Sequence, residues 1–217
     1  MKQIVEFLGV YVPEIEVINA KITFFNEEEV EKKVWEKSPQ LYIKKVVLVE
    51  PMAKGSSIIA LGTAMVTDSM CEGHFPFFKM LPLAILAQAV GQVGELLILS
   101  LNGNKGDRNC DKVPLAIEVL EVRSMLNMGG TKQRKFIVPG DQLLVFMTYI
   151  GGKLGINKVK ADIYVEDGIM ASIGSVTYYN VELKTFMEER NEKSLVKQVG
   201  GFRLPVSEGS PAVQGAN

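Results

Sequence analysis

Two periods of hydrophobic and polar residues alternate along the chain, and they divide it into elements. LYIKKVVLVE (41–50) and SIIALGTAMV (57–66) are β-branched, valine- and isoleucine-rich runs joined by PMAKGSS, which predicts two antiparallel strands. A loop over 67–81 follows, with Gly73 and Pro76 in it and Pro82 just after it. From Leu81 to Leu101 the sequence is almost continuously apolar and long enough for a helix, with Pro82 suited to the first helical position. After the polar loop LNGNKGDRNCDK the period changes to two. Leu115, Ile117 and Val119 alternate in one run, and SMLNMGGTKQ follows as a loop or hairpin tip. Leu143, Val145, Met147 and Tyr149 share a face in the next run, after a Pro139-Gly140 turn. Val159, Ala161, Ile163 and Val165 do so in a third, before an Asp167-Gly168 hairpin and a last strand, IMASIGSVTYYNV.

Two strands, one long apolar helix and three or four more strands predict an α+β fold. Its antiparallel curved sheet wraps one long central helix. Open sheet edges favour pairing with a second copy. Residues 41–183 form this domain, and 1–40 read as an N-terminal extension with a short helix at 26–37. That helix is capped by Asn26, carries Glu27–Glu29 in its first turn, and can dock through Val30 and Val34. Residues 184–217 read as a charged, helix-compatible segment to Val199 and a Gly/Pro/Ser-rich flexible tail.

Composition narrows the function classes. Net charge is −1 over 217 residues, so no global basic field recruits nucleic acid. Cys71 and Cys110 have no metal or disulfide spacing, and reduced thiols in a cytoplasmic setting are expected. No metal and no cofactor is expected. Leu81–Leu101 has membrane length, but Gln88, Gln92 and Glu95 within it favour a helix buried in protein over a membrane span.

The chemistry concentrates in CEGHFPFFKMLPLAILAQAVGQ (71–92), which holds the single histidine, His74. The N–H groups of Leu83 and Ala84, just after Pro82, lack intrahelical acceptors and point out from the positive end of the helix dipole. A carbonyl or enolate oxygen lodged there is polarised. An imidazole in the loop feeding that helix is placed to act as a base near neutral pH. A histidine of this kind is more often structural, and Cys71, three residues before it, reads better as a packed thiol than as a nucleophile.

GHFPFFKMLPLAILAQAVGQ resembles the signature of the 3-hydroxyacyl-acyl-carrier-protein dehydratases, FabZ/FabA-like enzymes of hot-dog fold. RKFIVPGDQL (134–143) and KLGINKVKADIYVEDGIMA resemble two later segments, so the similarity covers about 41–182 in order. The resemblance implies fatty-acid biosynthetic dehydration of an acyl thioester on acyl carrier protein or coenzyme A. It also implies a homodimer or higher oligomer of dimers. It makes His74 and Gln88 the catalytic pair, with Phe75, Pro76, Leu83, Ala84 and Gln92 contacting substrate.

Three departures stand out. The family's acidic residue, fourteen positions after the histidine, is Gln88, and an amide cannot protonate a leaving hydroxyl. Leu83 replaces a glycine at the helix start, and Lys79 replaces a loop proline. Alternatives therefore stay open. One is a thioesterase on the same fold, with Glu72 or Asp68 as its carboxylate. The other is a non-catalytic subunit that binds acyl chains or a carrier protein. Lys153, Lys158 and Lys160 are candidate carrier contacts, or ordinary solvent-facing lysines.

Overall fold

The computed structural model describes residues 1–182 apart from 16, 35–38, 54, 74–76, 102–111, 125–135, 155 and 166–168. For 112–124, 169–175 and 179–182 it gives the strand path alone. The polar loop at 102–111, nearly all of SMLNMGGTKQ (from 125), the hairpin turn at Asp167-Gly168 and the segment from 183 onward lie outside the described residues.

The elements in order are α1 (Lys2–Leu8), β1 (Ala20–Phe25), α2 (Glu27–Lys33), β2 (Lys45–Pro51), β3 (Ile59–Met65), α3 (Asp68–Cys71), α4 (Leu83–Leu101), β4 (Lys112–Ser124), β5 (Gln142–Lys153), β6 (Ile156–Val165) and β7 (Ile169–Glu182). They build one seven-stranded sheet in the order β1-β2-β3-β5-β6-β7-β4, antiparallel at every pairing.

Alternation assigns each face. Val46 and Leu48 of β2, Leu143, Val145 and Met147 of β5, and Val159, Ala161 and Ile163 of β6 turn inward, into one core with Val90, Val93 and Leu97 of α4. α4 is long and apolar enough to cross a membrane, but it is a core helix here, buried from Gln92 to Leu99 without a break. Gly94 lets a side chain of the sheet approach the helix backbone closely. A Cβ there would strike the Tyr178 ring, whose hydroxyl donates to the Gly91 carbonyl at 2.7 Å.

The opposite faces of the same strands hold a second core. Val47, Val49, Leu61 and Leu144 pack under Ile4, Leu8, Val12 and Ile15. This explains why all four residues of Val46–Val49 are buried, since β2 is covered on both sides. The N-terminal extension is thus part of the domain. α1 and the strap after it seal the outer face, and β1 adds an edge strand in register from Ala20 opposite Pro51 to Phe25 opposite Val46.

α2 forms where the sequence places it, with a full capping box between Asn26 and Glu29, and Val30 and Val34 are fully buried. α1, β1 and the one-turn α3 are elements that the sequence pattern did not announce. Residues 41–44, expected as strand, lie before β2, which starts at Lys45, although the Lys44 N–H already donates to the Thr63 carbonyl at 2.9 Å.

Candidate active site

The loop between β3 and α4 is closed by short-range chemistry on both sides. α3 opens it, and an ion pair from Lys79 to Asp68 ties its two ends together. The hydrogen bond to Asp68 raises the Lys79 pKa above the usual lysine range. Lys79, a departure from the family pattern, therefore has a local role. Asp68, a candidate carboxylate base, is engaged with it, while Glu72 is exposed at the end of α3.

Val138-Pro139-Gly140-Asp141 supports the loop from below. Gly140 takes φ +94°, a value side chains rarely adopt. The Asp141 N–H donates back to the Val138 carbonyl at 3.1 Å, and the Asp141 carboxylate accepts the Val138 N–H at 2.8 Å. From this turn the Gly140 N–H reaches the Val66 carbonyl and the Val66 N–H reaches the Asp141 carbonyl, each at 2.9 Å. One step earlier, Leu81 donates to Ile137 at 2.8 Å. The two sequence segments that carry the family resemblance, about sixty residues apart, thus meet where the helix begins.

α4 starts at Leu83. The Pro82 carbonyl accepts the N–H groups of Ile85 (3.1 Å) and Leu86 (3.2 Å). Among the described residues no acceptor is bonded to the N–H of Leu83 or Ala84. Both residues are exposed, Leu83 by 51%. Two free donors therefore face outward at the positive end of a 19-residue helix, as an oxyanion site requires. In the loop before this helix Phe77 is exposed, Met80 is half-exposed, and exposed Phe78 meets exposed Phe136 edge to face (centroids 5.4 Å apart).

Gln88 is half-buried one turn beyond Ala84, and its amide makes no hydrogen bond among the described residues. Gln92, one turn further, is different. It is fully buried, its Oε1 accepts the N–H groups of Tyr42 (3.0 Å) and Ile43 (3.2 Å), and its Nε2 donates to the Gln40 carbonyl at 2.6 Å. The expected substrate contact is thus committed to the backbone that leads into β2. Glu95 lies deeper, buried, about 10 Å past Gln88 along the axis.

Cys71 is buried, and its pKa is raised, first by burial and then by the Asp68 charge. That favours a packed thiol over a nucleophile. His74, Phe75 and Pro76 lie outside the described residues.

No family model matches the chain. The 3-hydroxyacyl-[acyl-carrier-protein] dehydratase FabZ of Clostridium tetani is 32% identical over 142 residues, 63% of this chain and 88% of the relative. Among solved structures, the dehydratase heterocomplex ApeI:P from Xenorhabdus doucetiae aligns with TM-score 0.54 at 12% identity. The alignment covers 75% of this chain and 97% of that one. A hot-dog-like protein from Thermanaerovibrio acidaminovorans aligns with TM-score 0.51 at 10% identity, covering 64% and 93%. The fold is a hot-dog fold, and the chain belongs to the 3-hydroxyacyl-[acyl-carrier-protein] dehydratase FabZ family.

Proposed function

We propose that the protein is an acyl-thioester lyase that removes water from a 3-hydroxyacyl thioester carried on acyl carrier protein or coenzyme A. The observation that carries this reading is the pair of unbonded N–H groups of Leu83 and Ala84. They open a long helix in a chain of this family, directly after the loop bearing His74. The thioester oxygen accepts from these donors, and His74 takes the proton from C2, leaving an enolate that the donors stabilise. The C3–O bond then breaks. The departing hydroxide needs one proton, and the His74 imidazolium supplies it, so the balance closes as enoyl thioester plus water. Gln88 orients the hydroxyl by a hydrogen bond, and its amide cannot add the acid assistance that a carboxyl group gives. We expect slowed chemistry, by about 10²–10⁴ relative to a site with the acid.

Phe75 and Pro76 contact substrate in this reading, and Gln92 acts on substrate only by holding 40–43 in place. The exposed apolar rim of Phe77, Phe78, Phe136 and Leu83 suits an acyl chain or a second copy, in keeping with a dimer. A cytoplasmic setting fits the thiol usage.

A second reading is favoured by Gln88 itself: a subunit that binds the acyl thioester and completes its site with another chain's carboxyl group. His74→Ala decides for the histidine. We expect at least about a 100-fold loss of dehydration with the melting temperature unchanged. Full activity in that variant contradicts the mechanism.

A further inference from the structure

The outer face of the sheet carries two apolar zones, and described residues cover only one. Over β2, β3 and β5 the strap from α1 to Ile15 lies on Val47, Val49, Leu61 and Leu144. At the tip of the β5–β6 hairpin, Ile150, Leu154 and Ile156 line a cup of about 480 Å³ rimmed by Lys153 and Lys158. These three side chains are 63%, 87% and 39% exposed. Leu154 is one of two non-glycine residues at positive φ (+54°) among the described residues, so an apolar side chain is presented outward from a disfavoured backbone conformation. Neither lysine has an ion pair among the described residues.

The strand register shows where β7 ends. β6 pairs with β7 up to Ile156 opposite Tyr179, whereas β4 follows β7 three residues further, to Lys112 opposite Glu182. The chain therefore leaves the sheet beside the hairpin tip. Its next residues are LKTFMEERNE, Leu183 to Glu192. The cup is one to two strands away, roughly 5–10 Å. Four or five extended residues reach about 13–18 Å, so Phe186 and Met187 are apolar side chains within reach. Glu188 and Glu189 follow immediately, opposite in charge to the two lysines, and Glu192 comes after Arg190 and Asn191.

We propose that Leu183–Glu192 folds back over the β5–β6 tip. Phe186 and Met187 seat against Ile150, Leu154 and Ile156, and Glu188 and Glu189 face Lys153 and Lys158. The two terminal segments then divide the outer face, the N-terminal strap sealing one zone and this segment the other. The inference does not depend on the dehydratase reading.

Zero-length carbodiimide cross-linking of the full chain tests it, with ¹⁵N-labelled and unlabelled protein mixed before reaction. The Lys21–Glu50 pair, 2.7 Å apart, is the internal standard. We expect links from Lys153 or Lys158 to Glu188, Glu189 or Glu192 within chains of one isotope. Phe186→Ser should lower their yield about fivefold or more relative to the standard. Three results overturn the proposal: mixed-isotope links, which make a second copy the occupant; absence of these links while Lys21–Glu50 forms; or a yield unchanged in Phe186→Ser.

Discussion

Gln88 and Gln92 stand one turn apart on the same side of α4, and the two turns around them have opposite surroundings. At Gln92 both acceptor directions of a buried amide and one of its two N–H donors are taken up by the backbone of residues 40–43. At Gln88 the amide is half-exposed and unbonded among the described residues, below two free N–H donors. Unpaired polar groups are costly where water is excluded and cheap at an open rim. The helix therefore holds the fold with its inner turns, while its first two turns expose Leu83 and Ala84 and part of Gln88.

The sharpest way to break this contrast is Gln92→Leu. It strands the N–H groups of Tyr42 and Ile43 and the Gln40 carbonyl, and should cost roughly 2–4 kcal/mol in denaturant unfolding. Gly94→Ala comes next, about 1–3 kcal/mol, because the new methyl meets the Tyr178 ring. Gly94→Ala combined with Tyr178→Phe should cost less than the sum of the two single changes. Gln88→Leu should shift stability by no more than about 0.5 kcal/mol, as expected of a rim position. The smallest effect is a rate. Cys71 should resist iodoacetamide at pH 8 in the folded protein and label once unfolded, since burial and the Asp68 charge both disfavour its thiolate. Fast labelling of native protein would restore a reactive role.

The same contrast explains what the sequence made legible. Period-two alternation in β6 showed which residues face α4, because its other face carries Lys158, Lys160 and Asp162, whereas in β5 the other face holds the buried Leu144 as well. Val46–Val49 defeated that reading: both faces are covered, so the pattern loses its alternation and hides the second core. α1 spans only seven residues and draws its stability from packing Ile4 and Leu8 on the sheet. Its available signals were the spacing of those two residues and Gly9, the left-handed cap. The helix start with Leu83 and Ala84 was legible through Pro82. The assignment of Gln92 was not, because an amide that binds substrate and one that binds backbone look alike in a sequence.

The central claim is that the open first turns of α4 still support dehydration without a carboxyl group. It is tested most directly by incubating the pure wild-type protein and Gln88→Glu with 3-hydroxyacyl and trans-2-enoyl thioesters, on carrier protein and on coenzyme A, and reading product mass. Gain or loss of one water with the thioester intact, slow in wild type and faster in Gln88→Glu, is the expected result. Unchanged substrate in both proteins, or release of the free acid, contradicts the account.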